Sequence, residues 1–374
     1  MVRTTETDGD VPAQHRGRIG LFAPFILLVL VAALWSAGWV WVRGRAEEAV
    51  DQWFAREAQA GRSWTCSDRS LGGYPFRLEL RCAALRFARS DVTFSVGPVV
   101  AVAQIYQPRH VIVEADGPFH VEQEGKVGDV TWRLLEASLH LTDGGFQRAS
   151  LVTDDLRGQV TGVEVPGAAG QPIAFTAEHL ELHARPTPGR FESDGAVDLS
   201  ARVTQATLPL LDPILGGTEP ADLGLDATAS RAAGLRTRPL AEELERWRLA
   251  GGSVALTRLS AEKGRSRLQA QGTLALDESH RLAGQLDVRT AGLDAVIAPL
   301  VTEQLGERVG GANAALIGNL VGQLLGGGRR REEAPASGRP DEAALKPLPP
   351  VRLAGGKVAV GPFVIPNVRL DPLY

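Results

Sequence analysis

Cysteine is almost missing from this 374-residue chain, which contains only Cys66 and Cys82. A disulfide framework is thereby limited to a single pairing. Methionine, with one residue, and lysine, with four, are also scarce beside the many arginines, alanines and 42 glycines, a bias that suits a GC-rich coding sequence and points to no function. There is no strong excess of one charge. The formal net charge is −4, and the basic residues form no long stripe with stacking aromatics between them, which excludes a nucleic-acid partner. Signatures of nucleophilic and phosphate chemistry are lacking as well: there is no G-x-S-x-G elbow, no G-x-x-x-x-G-K-[ST] loop, no H-E-x-x-H and no G-x-G-x-x-G opening a helix. These gaps lead to an expectation of a non-enzymatic protein with no catalytic, metal or cofactor residues and no cofactor.

One long apolar run is present. Residues 20–42 (GLFAPFILLVLVAALWSAGWVWV) carry no charge, and as a helix they reach about 35 Å, enough for a hydrocarbon core of about 30 Å. Phe22 and Phe25 lie near one end and Trp35, Trp39 and Trp41 near the other, as at membrane interfaces. Ser36-Ala37-Gly38 offers a small-residue site for a signal peptidase, but the run is long for a signal and continues through Trp41, so an uncleaved anchor is the preferred reading. Arg16 and Arg18 on one side balance Arg43 and Arg45 on the other, and the arginines give no orientation. The cysteines do. Cys66 and Cys82 flank a turn, and pairing is favoured over two unrelated thiols. A disulfide would place the chain after Val42 in an oxidising compartment, the periplasm for an inner-membrane protein, and closing about 15 residues would add about 3 kcal/mol.

Beyond the anchor, residues 43–61 have helical spacing in Ala46, Val50, Trp53, Phe54 and Ala58, with Gly61 as the stop. The period then becomes two. Phe76, Leu78, Leu80 and Cys82 alternate with Arg77, Glu79 and Arg81, and similar alternation recurs around Phe94, Val111, Val130, Trp132, Leu180, Val197 and residues 268–276. Turn signals such as Asp116-Gly117-Pro118 and Thr187-Pro188-Gly189 separate these runs, which predicts a long antiparallel meander. Helical spacing returns at residues 239–249, 293–305 and 307–325. Residues 326–350, rich in glycine, arginine, acid and proline, read as a flexible linker, and residues 351–360 and 364–370 as a closing strand pair that returns to the sheet.

The sharpest chemical constellation is His179, Glu181 and His183 in HLELH, which a strand places on one face. Two imidazoles and a carboxylate can hold a metal, but a solvated face opposite Leu180 and Leu182 is the better reading. Asp154-Asp155 and Glu242-Glu243 are adjacent acids that a strand points to opposite faces, and they read as surface residues. Arg329-Arg330-Arg331 reads as solvated linker rather than a lipid contact. Gly318, Gly322 and Gly326 read as a face packed on the sheet rather than a membrane helix contact.

The block W-T-C with G-G-Y-P-F-R and a second cysteine, residues 64–82, together with the ending GGKVAVGPFVIPNVRLDPLY, resembles the alphaproteobacterial family of membrane-anchored proteins called domain of unknown function 2125. That family implies no activity and no catalytic residues. Residues 268–300 are more weakly similar to the ends of AsmA-like envelope proteins, whose curled sheets are linked to lipid movement between membranes.

The combined expectation is a mainly β chain with a few helices: a cytoplasmic tail at 1–19, a transmembrane helix at 20–42, a helix leading out at 43–61, and a periplasmic β-rich domain at 62–325 whose late helices cover a long curved antiparallel sheet. Phe76, Leu78, Leu80, Phe94 and Trp132 would line a groove or fill a core. Expected partners are the inner membrane, phospholipid held in the groove, or other envelope proteins in a scaffold. A metal-dependent hydrolase around His179 is the remote alternative.

Overall fold

A computed structural model describes residues 19–143, 145–163, 171–209, 212, 217–235, 238–292 and 345–374. The uncharged run forms the first part of a single helix, α1 (Ile19–Gln59). Only 6% of its most apolar stretch is buried, so it is no core helix, and its length and composition suit one membrane crossing. Past residue 42 the helix becomes polar and is supported by pairs one turn apart, Arg43 with Glu47 at 3.0 Å and Arg45 with Glu48 at 3.3 Å. Gly61 ends it. At φ 75 it lets the Arg62 amide reach the Glu57 carbonyl at 2.9 Å while its own amide bonds Ala58 at 3.0 Å, closing the last turn.

The rest is mainly antiparallel sheet, open and curved. Its first ten strands are β1 (Ser63–Ser67), β2 (Ser70–Gly72), β3 (Arg77–Cys82), β4 (Ala84–Ala88), β5 (Val92–Val96), β6 (Val99–Gln104), β7 (Gln107–Ala115), β8 (Phe119–Gln123), β9 (Lys126–Thr131) and β10 (Leu134–Thr142). They make two ribbons, β1-β4-β5-β8-β9 and β2-β3-β6-β7-β10. Both ribbons join the same edge of one long strand, β11 (Gly145–Thr161), whose first half pairs with β10 and whose second half pairs with β9. Away from β11 the ribbons are tied by the Cys66–Cys82 disulfide, with Cα atoms 5.1 Å apart. Cys66 shares a face of β1 with Trp64, and Cys82 shares a face of β3 with Leu78 and Leu80. The bond therefore turns two apolar faces towards each other. Trp64, Phe87, Phe94 and Phe119 stack in succession on the first of these faces, with ring centroids 4.7, 4.9 and 5.6 Å apart.

Strand β12 (Ile173–Pro186) pairs with β11 at a constant register along both halves. The apolar residues Ile173, Phe175 and Ala177 occupy one face of β12, and Leu180, Leu182 and Ala184 the other. Strand β11 changes phase at the same level, from Ala149 and Leu151 to Leu156 and Val160. Asp155, at φ 51, sits at this crossing. The pair thus passes from one layer to the other, and the inward direction reverses along it.

From β12 onward the sheet is, among the described residues, a single-layered meander. Strands β13 (Val197–Ala206), β14 (Ala221–Ala229), β15 (Val254–Lys263), β16 (Ser266–Leu276) and β17 (Leu282–Ala291) pair in sequence. β17 then pairs with β18 (Lys346–Pro347) and β19 (Val351–Ala354), followed by β20 (Lys357–Val360) and β21 (Phe363–Arg369). Residues 351–370, expected as two strands, are three, because Gly355 and Gly356 at φ 56 and 75 fold the first run into a hairpin. Lys346 and Pro347 belong to the sheet and not to a linker; residues 293–344, with two expected helices, the arginine triplet and the glycine series, lie outside the described residues.

The expected helix at 239–249 is α2 (Leu240–Leu249), with Pro239 at its N-cap. It stands at the end of the meander and not over its face. Trp247 Nε1 donates to the Ser230 carbonyl at 2.7 Å, and Gly252 lies so close to the Trp247 ring that a Cβ would meet it at 2.3 Å. Glu245 accepts bonds from Arg248 Nε and Nη2 at 2.7 Å each and from the Tyr374 hydroxyl at 2.9 Å, which ties Tyr374 to this helix. The Arg248 guanidinium is the main reason that the Glu245 carboxyl is held down to about 2.

Candidate functional site

Residues directly opposite in an antiparallel ladder share a face, so register converts the strand pattern into rows across the sheet. One row runs Leu78, Ala103, Val111, Leu139, Ala149, Ala184, Leu199, Ala227, Leu256, Gly272, Leu286, Val351 and Val360. A second, two residues along each strand and three on β15, where the register shifts, runs Leu71, Leu80, Ala101, Val113, Ala137, Leu151, Leu182, Ala201, Leu225, Leu259, Ala270 and Val288. Neither row contains a charged or hydrogen-bonding side chain. Together they form an apolar band about 7 Å from row to row that crosses both the two-layered and the single-layered parts.

The band is incompletely covered. Of its small residues Ala227 and Ala270 are buried and the others half-buried, whereas Leu139, Leu182 and Leu199 are 38%, 42% and 36% exposed. No large side chain among the described residues is fully buried. A sheet with one apolar face needs a second layer, and over these leucines the described residues supply none.

The opposite face is polar. Arg202 grips Asp226 with two bonds of 2.9 and 3.0 Å, and Ser200 donates to the same carboxylate at 2.9 Å. His179 Nδ1 meets Asp154 at 2.6 Å and its Nε2 meets Glu181 at 2.9 Å, while Glu181 also meets His183 at 3.4 Å. Arg133 reaches Asp154 at 2.9 Å and Asp155 at 2.7 Å. Glu181 and then Asp154 raise the imidazole above its ordinary value, and His179 in turn lowers both carboxyls. Both nitrogens of His179 are thus engaged by acids. No group of three metal-ligating residues suited to an ion exists among the described residues. The HLELH motif is a charged ladder on the solvated face.

The expected lining residues are distributed over both ribbons and the turns beside them. Leu78 and Leu80 are in the two apolar rows, and Phe94 is in the aromatic stack of the facing ribbon. Trp132 lies just past β9 and donates Nε1 to the Ala115 carbonyl at 2.7 Å. Phe76 is different. It is 60% exposed in the β2–β3 turn and does not extend the β3 face of Leu78 and Leu80, because the strand begins only at Arg77.

That turn docks on the anchor. Trp35 Nε1 donates to the Pro75 carbonyl at 3.0 Å, Trp39 Nε1 to the Arg77 carbonyl at 3.3 Å, and the Ser36 and Tyr74 hydroxyls are 2.9 Å apart. Trp35 lies against Phe76 and Trp39 meets Tyr74 edge-on, with centroids 5.8 and 5.4 Å apart. Gly73, at φ 102, shapes the turn: a Cβ there would lie 2.6 Å from the Arg77 carbonyl oxygen. Farther along the helix, Asp51 bonds Arg69 at 2.5 Å and Trp53 lies 5.5 Å from Trp64. Sequence reasoning assigned this stretch to a turn and missed the docking, although its one signal, an uncharged aromatic turn shortly after a tryptophan-bearing helix, was visible.

The profile of a family described as an uncharacterised protein conserved in bacteria (DUF2125) matches residues 39–368. The chain belongs to this family. No curated protein and no solved structure matches it, so the weaker likeness to AsmA-like proteins has no counterpart in these comparisons.

Proposed function

We propose that this family member is a non-enzymatic component of the bacterial envelope, anchored in the inner membrane by α1, with its sheet in the periplasm and its apolar band in contact with lipid. The observation that carries the reading is the uninterrupted pair of apolar rows, crossing at least a dozen strands while leaving leucines a third or more exposed. An apolar surface of that extent beside a membrane anchor suits acyl chains better than water. The Cys66–Cys82 bond supports the compartment, since such bonds persist in oxidising surroundings.

A scaffold that binds other envelope proteins by adding their strands to a sheet edge is less well supported. The outer edge, β21, contains Pro366, which has no amide hydrogen to donate, and its pairing with β20 shifts register after Lys357. Lipid extraction and native mass spectrometry of the detergent-purified full-length protein test the proposal. Phospholipid should accompany the wild type and be lost in Leu182→Glu with Leu199→Glu, at unchanged circular dichroism. Wild-type protein free of phospholipid would overturn it.

A further inference from the structure

The contacts between the β2–β3 turn and α1 have a consequence for depth. Trp35 lies seven residues before Val42, the last of the uncharged run, which is about 10 Å along the helix on the membrane side of its end. Phe76 and the Pro75 carbonyl lie against Trp35, so the turn is held at that depth. Residues 70–76 (SLGGYPF) have no charge, and the first charged residue, Arg77, has its carbonyl one helical turn higher, at Trp39. A neighbouring turn accompanies it. The Ile105 amide donates to the Phe76 carbonyl at 3.0 Å, which brings Tyr106, 68% exposed, to the same level. Tyr74 and Phe76 are 55% and 60% exposed.

We infer that Tyr74, Phe76 and Tyr106 form an aromatic foot that inserts into the interfacial region of the bilayer beside the anchor, on the side where the sheet lies. Lipid is the occupant because the patch is continuous with the lipid-exposed helix. Aromatic rings with one polar tip favour the headgroup boundary, and Arg77 above them can extend into water. The foot would hold the tip-side end of the strands, including Leu139, at the membrane surface. This inference rests on α1 spanning the membrane, and it does not require that the apolar band carries lipid.

The test uses full-length protein in nanodiscs of phosphatidylethanolamine and phosphatidylglycerol, with an environment-sensitive dye on Gln107→Cys, next to the foot. Lys126→Cys is the control, at the far end of β11, a 17-residue strand of about 55 Å. The dye near the foot should emit to the blue of the control, be quenched by lipid spin-labelled near the glycerol backbone and be shielded from aqueous iodide. Adding Tyr74→Ser, Phe76→Ser and Tyr106→Ser should move it towards the control values. Equal emission and equal iodide access at both sites would overturn the foot and leave the anchor and lipid-band readings standing. A chain that does not enter the discs would overturn the anchor and the foot together, and absence of co-purified phospholipid would bear on the lipid band alone.

Discussion

The N-terminal and C-terminal halves of the sheet have the same alternating sequence and opposite solutions to burial. In the first half the disulfide turns the apolar faces of two ribbons towards each other, and large aromatics stack along one of those faces: Phe87 is buried and touches Trp64 and Phe94. In the second half one ribbon continues without a second layer among the described residues. From β13 onward its buried apolar positions are alanines such as Ala227, Ala261 and Ala270 and the valines Val197 and Val288, while its leucines stay partly open. An alternating strand specifies that one face avoids water, but it does not specify what covers that face.

The largest expected effect compares the two halves directly. Phe87→Ala should cost about 3–5 kcal/mol in urea unfolding, as a buried aromatic lost from a packed layer, whereas Leu182→Ala should cost about 1 kcal/mol or less because its side chain is already substantially exposed. Equal costs would mean that the meander is covered as well as the sandwich.

Next comes the covalent tie between the ribbons. Cys66→Ser, or a reducing agent, should lower stability by about 3 kcal/mol through release of a loop with sequence separation 16. Protection of the amides of β1, β3 and β4 from hydrogen exchange should fall first, with β14 to β16 little changed.

The crossing between layers should be sensitive to backbone shape. Asp155→Val places a β-branched residue at φ 51 and should cost about 1–2 kcal/mol in thermal melts. Asp155→Gly should recover most of that, losing only an exposed pair with Arg133.

The smallest effect concerns the polar face. His179 has a raised folded pKa, so its contribution to stability is fully present below the unfolded value of about 6.5 and is lost as pH rises through the folded value. Asp154 and Glu181 are lowered, and their contribution is present above about 4 and lost as pH falls through their folded values. Melting temperature in His179→Gln should therefore change less than wild type when pH is raised from about 6 to about 8. An identical pH profile in the two proteins would remove the ladder as a contributor.

Much of this was legible along the chain. The uncharged run, the helix that continues it, Gly61 as its stop and the strand-and-turn order follow from local patterns, and the two cysteines flanking a turn pointed to their own pairing. The phase change in β12, from Phe175 and Ala177 to Leu180 and Leu182, was written in the sequence as well, but local alternation says only that a face changes. That the change marks a passage between layers depends on β9 and β10 sharing one edge of β11. The row from Leu78 to Val360 was invisible for a similar reason: its members are scattered over most of the chain, and only register aligns them.

Side-chain chemistry at spacings of a few residues was enough to mark the membrane-length helix, most of the strands and the apolar side of each, because these depend only on near neighbours in the chain. Tertiary structure decided that the ribbons close on each other in one half and not in the other, that HLELH becomes a charge ladder, and that the turn at Tyr74 to Phe76 rests on Trp35 and Trp39. Those outcomes depend on pairings between distant residues, and their energies arise only when packing brings the partners within contact distance.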